Sequence, residues 1–235
     1  MYSLTSRFRL VYFLSMEGLL NHIEIEPEEE ANACVILLHG LGADGHDFEP
    51  IIDEIHLPGK LQVRYILPHA PERPLTIDEG AKKRAWYDFI PHSEYSGNDD
   101  LIDSATEIQR FIDREISKGI PANRIVLAGF SQGGVVALHT GLRYKQRIAG
   151  IIALSTYLHD VASVEEERTD ENLAIPIMFA HGAYDGLVPI MRGATARENL
   201  TRLGYDVRWF DYPMEHQMCM EEAKEIARFL TEILT

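Results

Sequence analysis

Six short runs rich in Val, Ile, Leu and Phe recur along the chain, and they constrain its fold more than any other feature. They are Ala33 to Leu38, Val63 to Leu67, Arg124 to Phe130, Ile148 to Leu154, Ile175 to Ala180 and Val207 to Asp211. A run such as Val35-Ile36-Leu37-Leu38 is apolar at consecutive rather than alternate positions, the pattern of a strand covered on both faces. Between the second and third runs, Leu101, Ile102, Ala105, Ile108, Ile112 and Ile116 recur at three- and four-residue spacing, the stripe of a helix. Gly119 and Pro121 mark its end. Ile226, Phe229, Leu230, Ile233 and Leu234 form the stripe of a last helix, which opens among Glu221 and Glu222, where acids suit the helix dipole. Strand, helix and strand in repetition restrict the chain to an α/β fold with a mainly parallel central sheet and helices on both faces. No Pro/Gly/Ser linker, repeat or low-complexity tract divides residues 20–235, which are expected to form a single domain.

Composition narrows the partners. The chain has 235 residues, 46% hydrophobic and 25% charged, which excludes disordered, collagen-like and disulfide-stapled classes. The net charge of −15 repels phosphate backbones and anionic lipid surfaces, so neither nucleic acid nor electrostatic membrane binding is expected. Two cysteines, Cys34 and Cys219, are too few for a disulfide framework and fit a reducing compartment. Near the N-terminus, Arg7 and Arg9 precede Leu10-Val11-Tyr12-Phe13-Leu14, a faint echo of a signal peptide. The run is shorter than the ~7–15 residues of an h-region and far short of the ~20 that span a bilayer. Residues 1–19 are therefore expected to be an extension outside the fold, with Met16 as a plausible true start, and the protein is expected in the cytoplasm.

The third run leads straight into Gly129-Phe130-Ser131-Gln132-Gly133, a G-x-S-x-G, and Val135, Leu138 and Leu142 then follow at helical spacing. Strand, G-x-S-x-G and helix are the context of a nucleophile elbow, a sharp turn that exposes the serine hydroxyl at the sheet edge. A nucleophilic serine needs a base, and the base needs an orienting acid, in this fold in the chain order Ser, Asp/Glu, His. Asp185 stands in the loop after the fifth run and His216 in the loop after the sixth. Both lie past strand ends, where open α/β sheets bind ligands. The rivals fit less well. His181 precedes the aspartate and suits a structural hydrogen bond, His139 falls on the helix after the elbow, and His159 breaks the chain order. Asp206 and Asp211 flank or end a strand rather than occupying a loop beyond one.

One oxyanion donor is expected from the backbone N–H of Gln132, acting through its main chain, and the other from the loop His39 to Gly45 after the first run, at Leu41. Gly40, Gly42 and Gly45 also spell G-x-G-x-x-G. A dinucleotide site would need a helix opened by that loop and an acid about 20 residues on. Pro50 interrupts the would-be helix, and the next strand ends in Pro68-His69 with no acid. Asp44, His46 and Asp47 on one loop are more simply a solvated turn than a metal site, Glu165-Glu166-Glu167 a solvated face or helix N-terminus, and Cys34 a core residue. Leu75, Ile77, Trp86, Leu158, Val161, Leu187 and Met214 supply apolar side chains on loops near the expected crevice. Of these, Leu75, Trp86 and Leu187 are the expected groove.

His39-Gly40-Leu41-Gly42, Gly129-Phe130-Ser131-Gln132-Gly133-Gly134, His181-Gly182-x-x-Asp185-x-x-Val188-Pro189 and the Pro213-to-His216 segment resemble, in order, the carboxylesterase/acyl-protein thioesterase (phospholipase/carboxylesterase) family of α/β-hydrolases. Pro68-x-Ala70-Pro71-x-Arg73-Pro74 and Trp86-Tyr87-Asp88 add to the match, which covers residues 20 to 234. The resemblance implies Ser131 as nucleophile, Asp185 as acid, His216 as base, and the Leu41 and Gln132 amides as oxyanion hole. It implies cleavage of carboxylic esters or thioesters without cofactor or metal. Glu215 and Gln217 depart from the glycine and small hydroxyl that often flank the family's histidine. The expected function is a serine hydrolase of short-to-medium acyl esters or thioesters acting through an acyl-enzyme, with no large lid domain. Its partner is a small acyl substrate; an acylated protein as substrate and a homodimer are left open. An acyltransferase on the same three residues and a hydrolase fold serving only as a binding module are the alternatives.

Overall fold

A strand that is apolar at every position has no face for solvent, so the six runs can only pair with one another in the interior of a sheet. The computed structural model describes residues 9–13, 18–90 and 97–235, with the backbone alone for 9–13. In chain order the elements are β1 (Arg9–Phe13), β2 (His22–Glu26), β3 (Ala33–Leu38), α1 (Glu49–Glu54), β4 (Val63–Pro68), β5 (Glu72–Pro74), β6 (Lys82–Arg84) and α2 (Asn98–Ser117). They continue with β7 (Ile125–Phe130), α3 (Gln132–Arg143), β8 (Gly150–Leu154), α4 (Val161–Glu167), β9 (Pro176–Gly182), α5 (Ile190–Arg202), β10 (Asp206–Tyr212) and α6 (Met220–Ile233). The eight-stranded sheet has the order β1-β2-β4-β3-β7-β8-β9-β10. The strands from β4 to β10 in that order are parallel, and β2 and β1 add antiparallel at the edge. β5 and β6 form a separate two-stranded ribbon.

The pleat sends alternate residues of each central strand to opposite cores. Cys34, Ile36 and Leu38 of β3 join Ile125 and Leu127 of β7 under α2, α3 and α5. Ala33, Val35 and Leu37 join Val126 and Ala128 on the other face, under α1 and α6. No large lid domain interrupts this architecture among the described residues.

Two expectations need correction. Residues 9–13, set outside the fold, pair with β2 from Arg9↔Glu26 to Phe13↔His22 and close the sheet edge. Residues 1–8 and 14–17, and with them the proposed start at Met16, lie outside the described residues. Pro50 does not prevent a helix, because it stands in the first turn of α1, where its missing N–H would have had no partner anyway. Glu165 to Glu167 are exposed at the end of α4, the solvated face of the two expected alternatives, and Asp160 caps the start of the helix by accepting from the amides of Ala162 and Ser163. The α5 crossover escaped detection because it turns only Gly193, Ala196 and Leu200 inward, too small a stripe to register as amphipathic.

Candidate active site

The elbow follows from two contacts that exclude side chains. A Cβ on Gly129 would lie 2.3 Å from the carbonyl carbon of Gly133, and one on Gly133 would lie 2.2 Å from the carbonyl oxygen of Leu38. With glycine at both positions, α3 starts directly against β3 and the chain reverses within one residue. That residue is Ser131, held at φ 54°, ψ −119°, a strained conformation of the kind that concentrates at functional sites. Its amide donates to Leu154 O at 2.8 Å and its carbonyl accepts from Thr156 Oγ1 at 2.6 Å. Its hydroxyl does not cap α3, so it stays available to the cleft.

The acid and the histidine arrive from adjacent strands. β9 and β10 run parallel to the last pair, Tyr212↔Gly182, and the loops beyond stay in contact through Tyr184 N donating to Met214 O at 3.0 Å. Glycine is required at 182, where a Cβ would lie 2.3 Å from Glu215 O. Asp185 Oδ1 accepts from the amides of Leu187 at 2.9 Å and Val188 at 2.8 Å. Its Oδ2 accepts from His216 Nδ1 at 2.6 Å, with the carboxylate fully buried and the imidazole 14% exposed. The His216 ring packs on Phe130 at 4.7 Å between centroids. With Nδ1 committed to Asp185, Nε2 is the nitrogen left for chemistry.

The loop after β3 is shaped by His39. Its Nδ1–H donates to Gly40 O at 2.7 Å and its Nε2 accepts from Ala70 N at 2.9 Å, a pattern that only the neutral ring can make. Burial is the main reason its pKa falls to about 4, so that tautomer persists at neutral pH. Neither the Leu41 nor the Gln132 amide meets an acceptor among the described residues.

The other candidates stand elsewhere. His181 is buried, donates through Nε2 to Val188 O at 2.8 Å and lies 3.6 Å from Asp185 Oδ2; burial holds its pKa below the ordinary value. It buttresses the acid loop. His159 contacts Asn98 Oδ1 at 2.6 Å. Asp206 and Asp211 are exposed, and neither pairs with His216 among the described residues.

Ser131, Gln132, Leu41 and His216 line one cleft of about 780 Å³, whose walls include Phe48, Ile51, Ile77, Phe89, Phe130, Tyr157, Leu187, Val188 and Met218. Leu187 and Ile77 thus lie where the sequence placed them. Leu75 and Trp86 do not. Both are completely buried, Leu75 inside the turn that joins β5 to β6, and Trp86 with its indole N–H donating to His39 O at 2.8 Å. Leu158 and Val161 line a smaller neighbouring groove of about 260 Å³, and Met214 is buried. The sequence also concealed the role of the Gln132 side chain. Its Oε1 accepts from Trp86 N and its Nε2 donates to Tyr87 O, each at 2.7 Å, pinning a cleft-wall segment to the elbow. Phe48 and Ile51 were missed because α1 looked broken, and Met218 because it follows the histidine on a loop.

Mainly parallel sheet, serine elbow and a crevice past the strand ends are those of the α/β-hydrolase fold. Comparison with known proteins completes the identification, and the chain is a serine hydrolase of the esterase/thioesterase kind. Residues 20–234 match the family described as Phospholipase/Carboxylesterase, and the chain belongs to that family. It is 39% identical over 213 residues to acyl-protein thioesterase 1 of Neurospora crassa, covering 86% of this chain and 87% of that one. It is 37% identical over 216 residues to acyl-protein thioesterase 1 of Gibberella zeae, covering 86% and 91%. The crystal structure of Arabidopsis thaliana SOBER1 superposes with a TM-score of 0.80 at 26% identity, over 87% of this chain and 100% of that one. No helix among the described residues is long and apolar enough to cross a membrane.

Proposed function

We propose that Ser131 is the nucleophile, His216 its base and Asp185 the acid that orients the base. The observation that carries this is the 2.6 Å contact between His216 Nδ1 and the buried Asp185 carboxylate, at a cleft that His216 shares with Ser131. His216 Nε2 takes the Ser131 proton as Oγ attacks the acyl carbonyl, and the Leu41 and Gln132 amides stabilise the oxyanion. His216 then protonates the departing alcohol or thiol, and water regenerates the enzyme from the acyl-serine. Asp185 stays ionised, fixes the tautomer and stabilises the imidazolium.

The apolar walls suit the acyl chain of a short-to-medium ester or thioester. The names of the relatives add an acylated protein as the substrate class, and the unpaired Cys34 and Cys219 are consistent with a cytoplasmic enzyme. The test is steady-state hydrolysis of octanoyl thioesters and p-nitrophenyl esters by wild type and Ser131→Ala. Turnover by wild type and a loss on the order of 10⁶ in kcat in the variant are expected. Substantial turnover by a folded Ser131→Ala would remove the assignment.

A further inference from the structure

Acids outnumber bases in this chain, 37 to 22, and eight of the fourteen arginines with described side chains pair with a carboxylate: Arg64, Arg73, Arg110, Arg114, Arg143, Arg202, Arg208 and Arg228. Arg192, on the wall of the catalytic cleft, has no carboxylate partner among the described residues. Its guanidinium carbon lies 3.4 Å from the centre of the Tyr157 ring. Tyr157 is itself fixed by a 2.9 Å contact between its hydroxyl and that of Tyr87. A guanidinium stacked on a ring is held by its face, and the N–H groups around its edge remain free for a planar anion.

The cleft is electrically polarised about the serine. Asp47 and Glu54, also on its walls, come from the elements that follow β3, whereas Arg192 comes from the helix that follows β9. Those strands are three positions apart in the sheet, with β7, the strand that delivers Ser131, between them; three strand spacings are about 14 Å. The side of the acids also holds Phe48, Pro50 and Ile51, a surface for hydrocarbon. The side of Arg192 offers a cation stacked on the Tyr157 ring, and Tyr157 and Arg192 also line the neighbouring groove.

We propose that the Arg192–Tyr157 wall is a leaving-group subsite that selects esters and thioesters whose alcohol or thiol carries an anionic oxyacid group. This rests on the Ser131 reading and deepens it. The preference runs against the long-range field of a chain with net charge −15, so it is a contact effect and weakens as salt screens the Arg192 charge.

The experiment compares kcat/KM for octanoyl thioesters of mercaptopropionate and of its neutral isostere mercaptopropionamide. A third substrate, an azelaoyl thioester of mercaptopropionamide, places the carboxylate on the acyl end instead, and an octanoyl thioester of 2-mercaptoethyl phosphate replaces the carboxylate with a phosphate ester. Turnover of the neutral thioester establishes the Ser131 chemistry independently; its absence would defeat that reading rather than this one. Wild type is expected to favour each anionic leaving group over the neutral one by about fivefold and to disfavour the acid-ended acyl chain. In Arg192→Gln the ratio of anionic to neutral leaving group is expected to fall toward one, with Arg192→Lys keeping part of it, and high salt is expected to compress the wild-type ratio alone. Equal rates for charged and neutral leaving groups in wild type, a preference for the acid-ended acyl chain, or a ratio unchanged in Arg192→Gln would each overturn the proposal. Arg192 is exposed, so the variant is expected to melt as wild type does. The wild-type ratio and its salt dependence decide the matter even if it does not.

Discussion

Removing the Gln132 side chain separates two roles that coincide at one residue. Gln132→Ala keeps the amide expected in the oxyanion hole but deletes both side-chain hydrogen bonds, leaving Trp86 N and Tyr87 O without their 2.7 Å partners. The site is buried, with Gln132 5%, Trp86 0% and Tyr87 1% exposed, so water can replace the amide only if the segment opens. An orphaned buried donor or acceptor costs roughly 1–3 kcal/mol. Two of them, partly relaxed, amount to about 3 kcal/mol. For a chain of this size that lowers the melting temperature by roughly 6–12 °C. Activity follows a different scale. Because the main-chain donor survives, kcat/KM measured well below the transition is expected to fall by no more than about tenfold, through slackening of Tyr87 in the cleft wall. Loss of an oxyanion donor itself would remove about 10²–10³ in kcat. Thermal melting and steady-state kinetics on the same preparation separate the two. A melting temperature unchanged within about 1 °C would refute the pinning role, and a loss near 10³ in kcat at unchanged stability would make the side chain a direct participant.

Asp185→Asn should preserve geometry but present the wrong imidazole tautomer to Ser131, a loss that reached about 10⁴ in a serine protease; Asp206→Asn and Asp211→Asn should stay within about threefold of wild type, and a larger loss in either would move the acid. Glu222 is completely buried and burial lifts its carboxyl from 4.5 to about 8, against the smaller opposing effect of the Cys219 amide. An acid whose pKa is raised on folding contributes stability that is complete below about pH 4.5 and lost as pH rises toward 8. Glu222→Gln should therefore gain on wild type by on the order of 3 kcal/mol between pH 5 and pH 8.5 in melting curves, and an equal offset at both pH values would contradict the burial argument. Each methylene buried in the apolar cleft is worth about 0.8 kcal/mol, so kcat/KM should rise by up to about fourfold per carbon until the cleft is filled; a flat p-nitrophenyl ester series, or acetyl as the best substrate, would show the apolar walls are not an acyl site.

What could be read in the sequence was what depends on pattern within a short stretch. The interior strands were legible because strands covered on both faces must be apolar throughout, and the elbow because G-x-S-x-G requires glycines that the close approaches at Gly129 and Gly133 confirm. The pairing of Asp185 with His216 was foreseeable from their places after consecutive strands. β2 was not, since His22-Ile23-Glu24-Ile25-Glu26 mixes charge into an outer strand whose Glu24 is satisfied across the fold. Burial alone would raise the Glu24 carboxyl, but His22, Arg114 and Lys118 together draw it down to about 2, a compensation between residues 90 apart in the chain for the Arg114 contact. Groove residues were the least legible. Whether a loop leucine or tryptophan faces the cleft or the core depends on which backbone groups lie opposite, and Trp86 turned inward because its indole N–H finds His39 O.

The proposed chemistry rests on one oxygen atom, Ser131 Oγ, and covalent labelling tests it most directly. The protein is treated with a fluorophosphonate, digested, and the modified peptide located by mass spectrometry. A single adduct on Ser131 is predicted, absent in Ser131→Ala, slowed in Asp185→Asn, and formed in parallel with loss of esterase activity. An adduct on another residue, or full labelling of the wild type with activity intact, would contradict the assignment of Ser131 as nucleophile.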